Sequence, residues 1–220
     1  MSAARDEILG KVRVALGRTA PTGPSPAPAD ISAAVPLRPA GDPDADVDAA
    51  LSELGKVGAT PRRIARREDL HAALGALVAS ESIKKAVLWD TDEIRALGIA
   101  DTLAGLGVEI VPTTADKRAL AACDLGVTGV DLALPETGTL VLRSSPARPR
   151  VVSLLPRVHL ALLRPSAMRP DLAKVFEEVG GERYFVFVTG PSRTADIELT
   201  LTIGVHGPAA LYVWALGADV

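Results

Sequence analysis

Apolar residues recur at helical spacing over some stretches of the chain and at strand spacing over others, and the two kinds take turns along most of its length. Residues 2–16 place Ile8, Val12, Ala15 and Leu16 on one stripe, which predicts an amphipathic helix that stops near Gly17. Residues 46–56 and 68–79 predict two more helices, with Val47, Leu51 and Leu54 inward in the first and Leu70, Leu74 and Leu77 inward in the second. Short helices are expected at 92–97, 101–106 and 115–122, and a longer one at 170–179 with Pro170 in its first turn. Ala86-Val87-Leu88-Trp89, Val108-Glu109-Ile110-Val111, residues 183–189 and residues 210–216 read as strands. Such alternation implies an α/β fold, mostly parallel strands flanked by helices on both faces.

Two stretches break the rhythm. Residues 124–163 contain β-prone runs at 125–128, 139–143, 150–154 and 158–163 with no room for helices between them, so an antiparallel β portion is expected there. Further on, Ile197, Leu199, Leu201, Ile203 and Val205 alternate with Glu198, Thr200, Thr202 and Gly204, a period that favours a strand. Against this, parallel neighbours need a crossover between the strands at 183–189 and 210–216, and residues 194–203 are expected to supply it as a helix.

Seven prolines fall within residues 19–43, a density incompatible with a helix or a central strand. The chain therefore divides into an N-terminal helix (1–17), a Pro-rich linker (18–43) and an α/β domain (44–220). Docking of the helix on another subunit and packing against its own domain both fit the pattern. Asp42, Asp44, Asp46 and Asp48 imitate a calcium loop, with Glu53 at the twelfth position, but Val47 stands where the sharp turn requires glycine. The run reads better as a helix start, where carboxylates cap free N–H groups and face the positive end of the dipole.

A formal net charge of −3 argues against a nucleic-acid partner, which would call for a clustered basic surface. No stretch approaches the ~18 apolar residues of a membrane span, and Arg5, Asp6 and Glu7 interrupt any signal-peptide pattern, so a cytoplasmic location is expected. Cys123 is the one cysteine, which excludes an intrachain disulfide and leaves no set of thiolates for an iron–sulfur cluster, since such clusters usually take four. His71, His159 and His206 stand in no HExxH or CxxC context, and no metal site is expected. Neither a GxGxxG fingerprint nor a P-loop is present.

The polar groups best placed for chemistry follow the run Phe185-Val186-Phe187-Val188-Thr189, where Gly190-Pro191 forces a turn that presents Ser192, Arg193, Thr194, Asp196 and Glu198. In open α/β sheets ligands collect beyond the carboxyl ends of strands. Ser192, Thr194 and the Arg193 fork suit a carboxylate or phosphate, whereas Asp196 and Glu198 would repel an anion if they faced it and otherwise serve as helix-start charges. Glu136-Thr137-Gly138-Thr139 precedes another strand, and Glu136 is placed either to act as acid, base or nucleophile or to pair with Arg143 or Arg193. By alternation His159 points away from Val158 and Leu160, and His206 lies in a loop between Gly204 and Gly207. Convergence of Glu136, Arg193, Asp196 and His206 on one pocket at the carboxyl edge of the sheet is the working expectation, with Glu136 and His206 as catalytic candidates. Thr137, Gly138, Thr139, His159, Ser192, Arg193, Thr194, Asp196 and Glu198 are the binding candidates.

Five ordered blocks carry a resemblance: Gly126-Val127-Thr128-Gly129-Val130-Asp131, Glu136-Thr137-Gly138-Thr139, Ser153-Leu154-Leu155-Pro156 with His159, Gly190-Pro191-Ser192-Arg193-Thr194-Ala195-Asp196-Ile197-Glu198, and Gly204-Val205-His206-Gly207-Pro208. From about residue 49 to the C-terminus the sequence resembles the LUD-domain family. That resemblance implies a ribose-phosphate isomerase/CoA-transferase-like architecture. It also implies a place in a bacterial system that oxidises L-lactate to pyruvate, as one subunit beside companions that hold the iron–sulfur clusters. A small carboxylate ligand would suit Arg193. Two other classes stay open, a free-standing CoA-transferase or isomerase-like enzyme on a small acyl or sugar-phosphate substrate, and a non-catalytic interaction module.

Overall fold

In the computed structural model the described residues are 3–17, 39, 41–181, 184–195 and 201–220. Two units are distinguished, Met1–Pro36 and Leu37–Val220. In the first, helix α1 (Ala3–Ala15) matches the predicted amphipathic stretch and carries a Glu7–Lys11 pair across one turn, at 2.7 Å.

The second unit opens with α2 (Pro43–Lys56). Asp42 caps it by accepting from the Ala45 N–H, and Asp44 and Asp46 occupy its first turn, so the acidic run is a helix start as the pattern predicted. Next comes β1 (Thr60–Arg66), which sequence reading missed because only Ile64 along it is buried, leaving no apolar rhythm. Its Arg63 is held by Asp44 and Asp48 of α2. Then follow α3 (Arg67–Ser80), β2 (Lys85–Leu88), α4 (Asp92–Ala96), α5 (Ile99–Gly105), β3 (Glu109–Ile110), α6 (Lys117–Ala121), β4 (Leu125–Gly129), β5 (Leu132–Leu134), β6 (Thr139–Arg143), α7 (Val151–Leu154) and β7 (Val158–Leu163). The chain ends with α8 (Leu172–Val179), β8 (Phe185–Val188), β9 (Arg193–Ala195), β10 (Leu201–Ile203) and β11 (Ala210–Asp219). Asp171, one residue after Pro170, caps α8.

Six strands form one parallel sheet in the order β1-β11-β7-β4-β2-β3. Both faces are covered, which is why β4 and β7 are buried throughout and read as nearly continuous apolar runs. Along β7, Val158, Leu160 and Leu162 belong to one core cluster, while Ala161 and Leu163 belong to the other. From β2 the chain crosses outward to β3, returns past β2 to β4 and then continues in the opposite direction to β7 and β11. The reversal between β2 and β4 is the topological switch point of this sheet. No helix of the described residues is long and apolar enough to cross a membrane.

The expected antiparallel portion exists as β5-β6-β8, and three expectations need correction. The strand at 183–189 belongs to this antiparallel sheet, paired with β6, and not to the parallel one. Consequently no parallel crossover is needed after it, and the predicted helix at 194–203 is absent where the chain is described. Arg193–Ala195 and Leu201–Ile203 pair instead as antiparallel strands, in keeping with the period of two, and 196–200 lie outside the described residues. The β-prone run at 150–154 is the short helix α7, between Pro149 and Pro156.

Helix α7 sits on β4 because Gly126 leaves space for it. A β-carbon at Gly126 would fall 1.9 Å from the Val152 carbonyl oxygen and 3.1 Å from the Pro156 ring. Gly126→Ala should therefore destabilise the fold by about 3 kcal/mol, a fall of roughly 6–12 °C in melting temperature for a chain of this size. Thermal unfolding followed by circular dichroism checks this, and an unchanged midpoint would mean that α7 can move off the sheet freely.

Candidate functional site

Parallel register places Gly126, His159 and Leu211 side by side, one each on β4, β7 and β11. On this face Gly126 contributes no side chain, and the Val152 carbonyl of α7 takes up the space next to the strand that carries His159. His159 is 1% exposed, and its Nε2 is 2.8 Å from the Oγ1 of Thr128, itself fully buried on β4. Burial with no opposite charge pushes the imidazole down from 6.5 to about 4, so it is neutral throughout the physiological range. The other ring nitrogen has no hydrogen-bond partner among the described residues.

This ring forms part of the wall of a cavity of about 270 Å³. Ser153 and Leu154 of α7, Val186 to Val188 of β8, Thr189 to Ser192 of the following turn, His206 to Pro208, and Leu211 supply the rest. Ser153, His159 and Leu211 are buried and make its floor, while Phe187, Thr189 and His206 are exposed at its rim. Among the described residues no lysine, arginine, aspartate or glutamate lines it. Two loops are tied together over it: the Ser192 N–H donates to the Pro208 carbonyl, and the Gly204 N–H donates to the Ser192 carbonyl. The turn before them leans on α2, with Gly190 in the left-handed region (φ 96°), where a β-carbon would fall 2.9 Å from the Val57 carbonyl oxygen.

The structure thus gathers His159, Ser192 and His206 from the predicted candidates. It places the group by the amino ends of β7 and β11, not at the carboxyl edge. Arg193 is exposed and donates to the Val57 carbonyl. Thr194 sits in β9, paired in register with Thr202 of β10. Glu136 is exposed, outside the cavity wall, and without an ion-pair or hydrogen-bond partner among the described residues; neither Arg143 nor Arg193 holds it. Gly138 packs against Leu54 and Ala50 of α2, and Thr137 reaches the cavity's edge only through a hydroxyl chain, Thr137 to Thr139 at 2.7 Å and Thr139 to Thr189 at 2.8 Å. Asp196 and Glu198 lie outside the described residues. Sequence reading missed Thr128, Ser153 and Leu211. Thr128 was legible in principle, as a polar residue inside an apolar strand.

A second cavity, of about 500 Å³, occupies the switch point beyond the carboxyl ends of β2 and β4. Its walls carry Trp89, Asp90, Asp92, Glu93, Arg95, Asp131 and Arg148. Here the charges neutralise one another: Arg95 pairs with Asp90 and Asp92, Arg148 with Asp131, and Glu93 with Arg164. An acid directly after a predicted strand, as Asp90 follows Trp89, was the signal for this site, and the sequence reading did not use it.

The LUD domain model matches residues 47–216, from α2 into β11. The chain belongs to the LUD domain family. Similar proteins include Lactate utilization protein C of Halalkalibacterium halodurans, 32% identical over 152 residues, covering 64% of this chain and 66% of that one. Lactate utilization protein C of Shouchella clausii is 33% identical over 150 residues, again 64% and 66%. The match thus spans just under two-thirds of the length of these relatives. A crystal structure of a DUF162 family protein from Deinococcus radiodurans superposes with a TM-score of 0.59 at 19% identity, over 81% of this chain and all of that one, which shows a shared fold. In this LUD domain described residues of four of the five sequence blocks that carried the resemblance lie around the His159 cavity, and the fifth, Glu136 to Thr139, is linked to its wall by the Thr139–Thr189 hydrogen bond.

Because the folded His159 takes up its proton only near pH 4, whereas the unfolded one does so near 6.5, its neutral form stabilises the LUD domain fully above 6.5. That contribution, on the order of 3 kcal/mol, is lost as pH falls from 6.5 towards 4. Denaturant unfolding at pH 7 and pH 4.5 should show a smaller loss for His159→Gln than for the wild type, and equal losses would contradict a neutral buried ring.

Proposed function

We propose that this chain is a cytoplasmic subunit of a bacterial L-lactate utilisation system, working with companion subunits that carry the iron–sulfur clusters for oxidation of L-lactate to pyruvate. The observation that carries the proposal is the similarity to proteins named Lactate utilization protein C over 64% of this chain. The cysteine content supports the division of labour. Cys123 is buried, donates to the Ala119 carbonyl, and has its thiol pushed up chiefly by burial, so it is neither exposed nor inclined to the thiolate form that binds metal. Electrons from lactate would then leave through centres on other chains. In this reading the cavity around His159, Ser192 and His206 is where the subunit meets its small ligand.

A second reading draws on the switch-point cavity, since ligands of doubly wound sheets bind at that place. There the chain would act alone on a small acyl or sugar-phosphate compound, held by Arg95 and Arg148 once their present carboxylate partners give way.

Loss of the gene should abolish growth on L-lactate while leaving growth on pyruvate intact, with restoration by the wild-type gene. The purified chain by itself should give no lactate-dependent dye reduction, and activity should appear only when cysteine-rich companions are added. Robust activity of the isolated chain would overturn the subunit reading and favour the free-standing enzyme.

A further inference from the structure

We infer that the cavity at the amino ends of β7 and β11 holds a short 2-hydroxy or 2-oxo monocarboxylic acid with its uncharged end inward. The inference rests on the lactate-utilisation reading for the choice of acid and on the cavity for the way it is held. The floor is built from Ser153, His159 and Leu211, each 2% exposed or less. A carboxylate or phosphate pushed down to it would leave water for a place with no lysine or arginine among the described lining residues, at a cost that the hydroxyls and apolar groups of the floor do not offset. Any anionic ligand must therefore keep its charge at the rim. At about 270 Å³ the cavity also lies below the range of roughly 300–1,000 Å³ in which larger small-molecule ligands are held.

One polar atom on the floor asks for a partner. His159 uses Nε2 on Thr128, and its other ring nitrogen has no partner among the described residues. A ligand oxygen entering the cavity can supply the hydrogen bond that this nitrogen lacks within the protein. Thr128 makes the imidazole adaptable. When the hydroxyl donates to Nε2, the opposite nitrogen carries the proton and donates to a keto oxygen. When the hydroxyl accepts from Nε2–H, the opposite nitrogen has a lone pair and accepts from an alcohol. The same pair can thus hold both oxidation states of one acid, as a site that meets both substrate and product of an alcohol-to-ketone oxidation must. Leu211 receives the methyl-sized remainder, and the carboxylate at the rim meets the Ser192 hydroxyl and a His206 ring N–H.

The full chain, with ¹⁵N-labelled histidine, would be titrated with L-lactate, pyruvate, L-malate and inorganic phosphate, following the ring nitrogens by NMR and the heats by calorimetry. L-Lactate and pyruvate should both bind and move the His159 ring signals. L-Malate, which carries a second carboxylate on the carbon that is lactate's methyl group, should bind at least tenfold more weakly, and phosphate should leave His159 unmoved. His159→Leu should lower both affinities tenfold or more, and His159→Gln, which restores a neutral hydrogen-bonding group, should recover part of the loss. If His159→Leu fails to fold, the wild-type ring shifts decide alone. Binding of neither acid, or malate or phosphate binding as tightly as lactate, overturns the inference. Should that happen while the gene is still required for growth on L-lactate, the lactate-utilisation reading stands without it. Binding as expected with no growth defect leaves the inference and removes the reading.

Discussion

One row across the parallel sheet sets the conditions for everything near the His159 cavity. Gly126, His159 and Leu211 stand abreast on three neighbouring strands, so the imidazole has a bare backbone on one side and an aliphatic side chain on the other. Parallel pairing fixes that register through hydrogen bonds at both flanks, and a slip of one residue would turn His159 into the opposite core cluster. The bare position admits the Val152 carbonyl, which brings α7 down and closes the cavity from above. The imidazole is then almost wholly withdrawn from solvent, and the bond to Thr128 is what makes its burial tolerable.

The two cavities of this domain have opposite electrostatic character. At the carboxyl ends of β2 and β4, four carboxylates and three guanidinium groups pair off around an open, solvated hollow, where such pairs contribute little individually. In the cavity at the amino ends of β7 and β11 the described lining residues include no lysine, arginine, aspartate or glutamate, and the polar side chains are hydroxyls and imidazoles set in an apolar wall. A neutral site of this sort discriminates by shape and by hydrogen-bonding role, not by attraction from a distance. That character suits a chain whose proposed partners do the electron transfer: it can hold a small acid in place without itself supplying a charged or redox-active group.

Part of the site was written along the chain. His159 could be placed on the face away from Val158 and Leu160 because a strand alternates strictly, and Ser192 and His206 stood out as polar residues in glycine- and proline-rich turns. Arg193 and Glu136 stood out for the same reason and yet lie away from the cavity. Nothing local distinguishes an arginine that reaches into a pocket from one that reaches the Val57 carbonyl of a helix end 136 positions earlier. The helix expected at 194–203 failed for a related reason. It followed from assuming that β8 and β11 are neighbours, whereas β8 pairs with β6 in a separate antiparallel sheet and needs no crossover.

Helix starts, buried strands and the absence of thiolates for a cluster follow from residue types at short range, through capping, periodicity and counting, and the chain alone decided them. The family did too, because its five blocks keep their order whatever their arrangement in space. Which end of the sheet gathers those blocks, and which side chains face each other there, depends on strand order and on contacts between residues 31 to 136 positions apart. Such contacts form only when loop closure is compensated by burial in the finished core, so tertiary structure alone could select His159 and Thr128 over the more conspicuous arginine and glutamate.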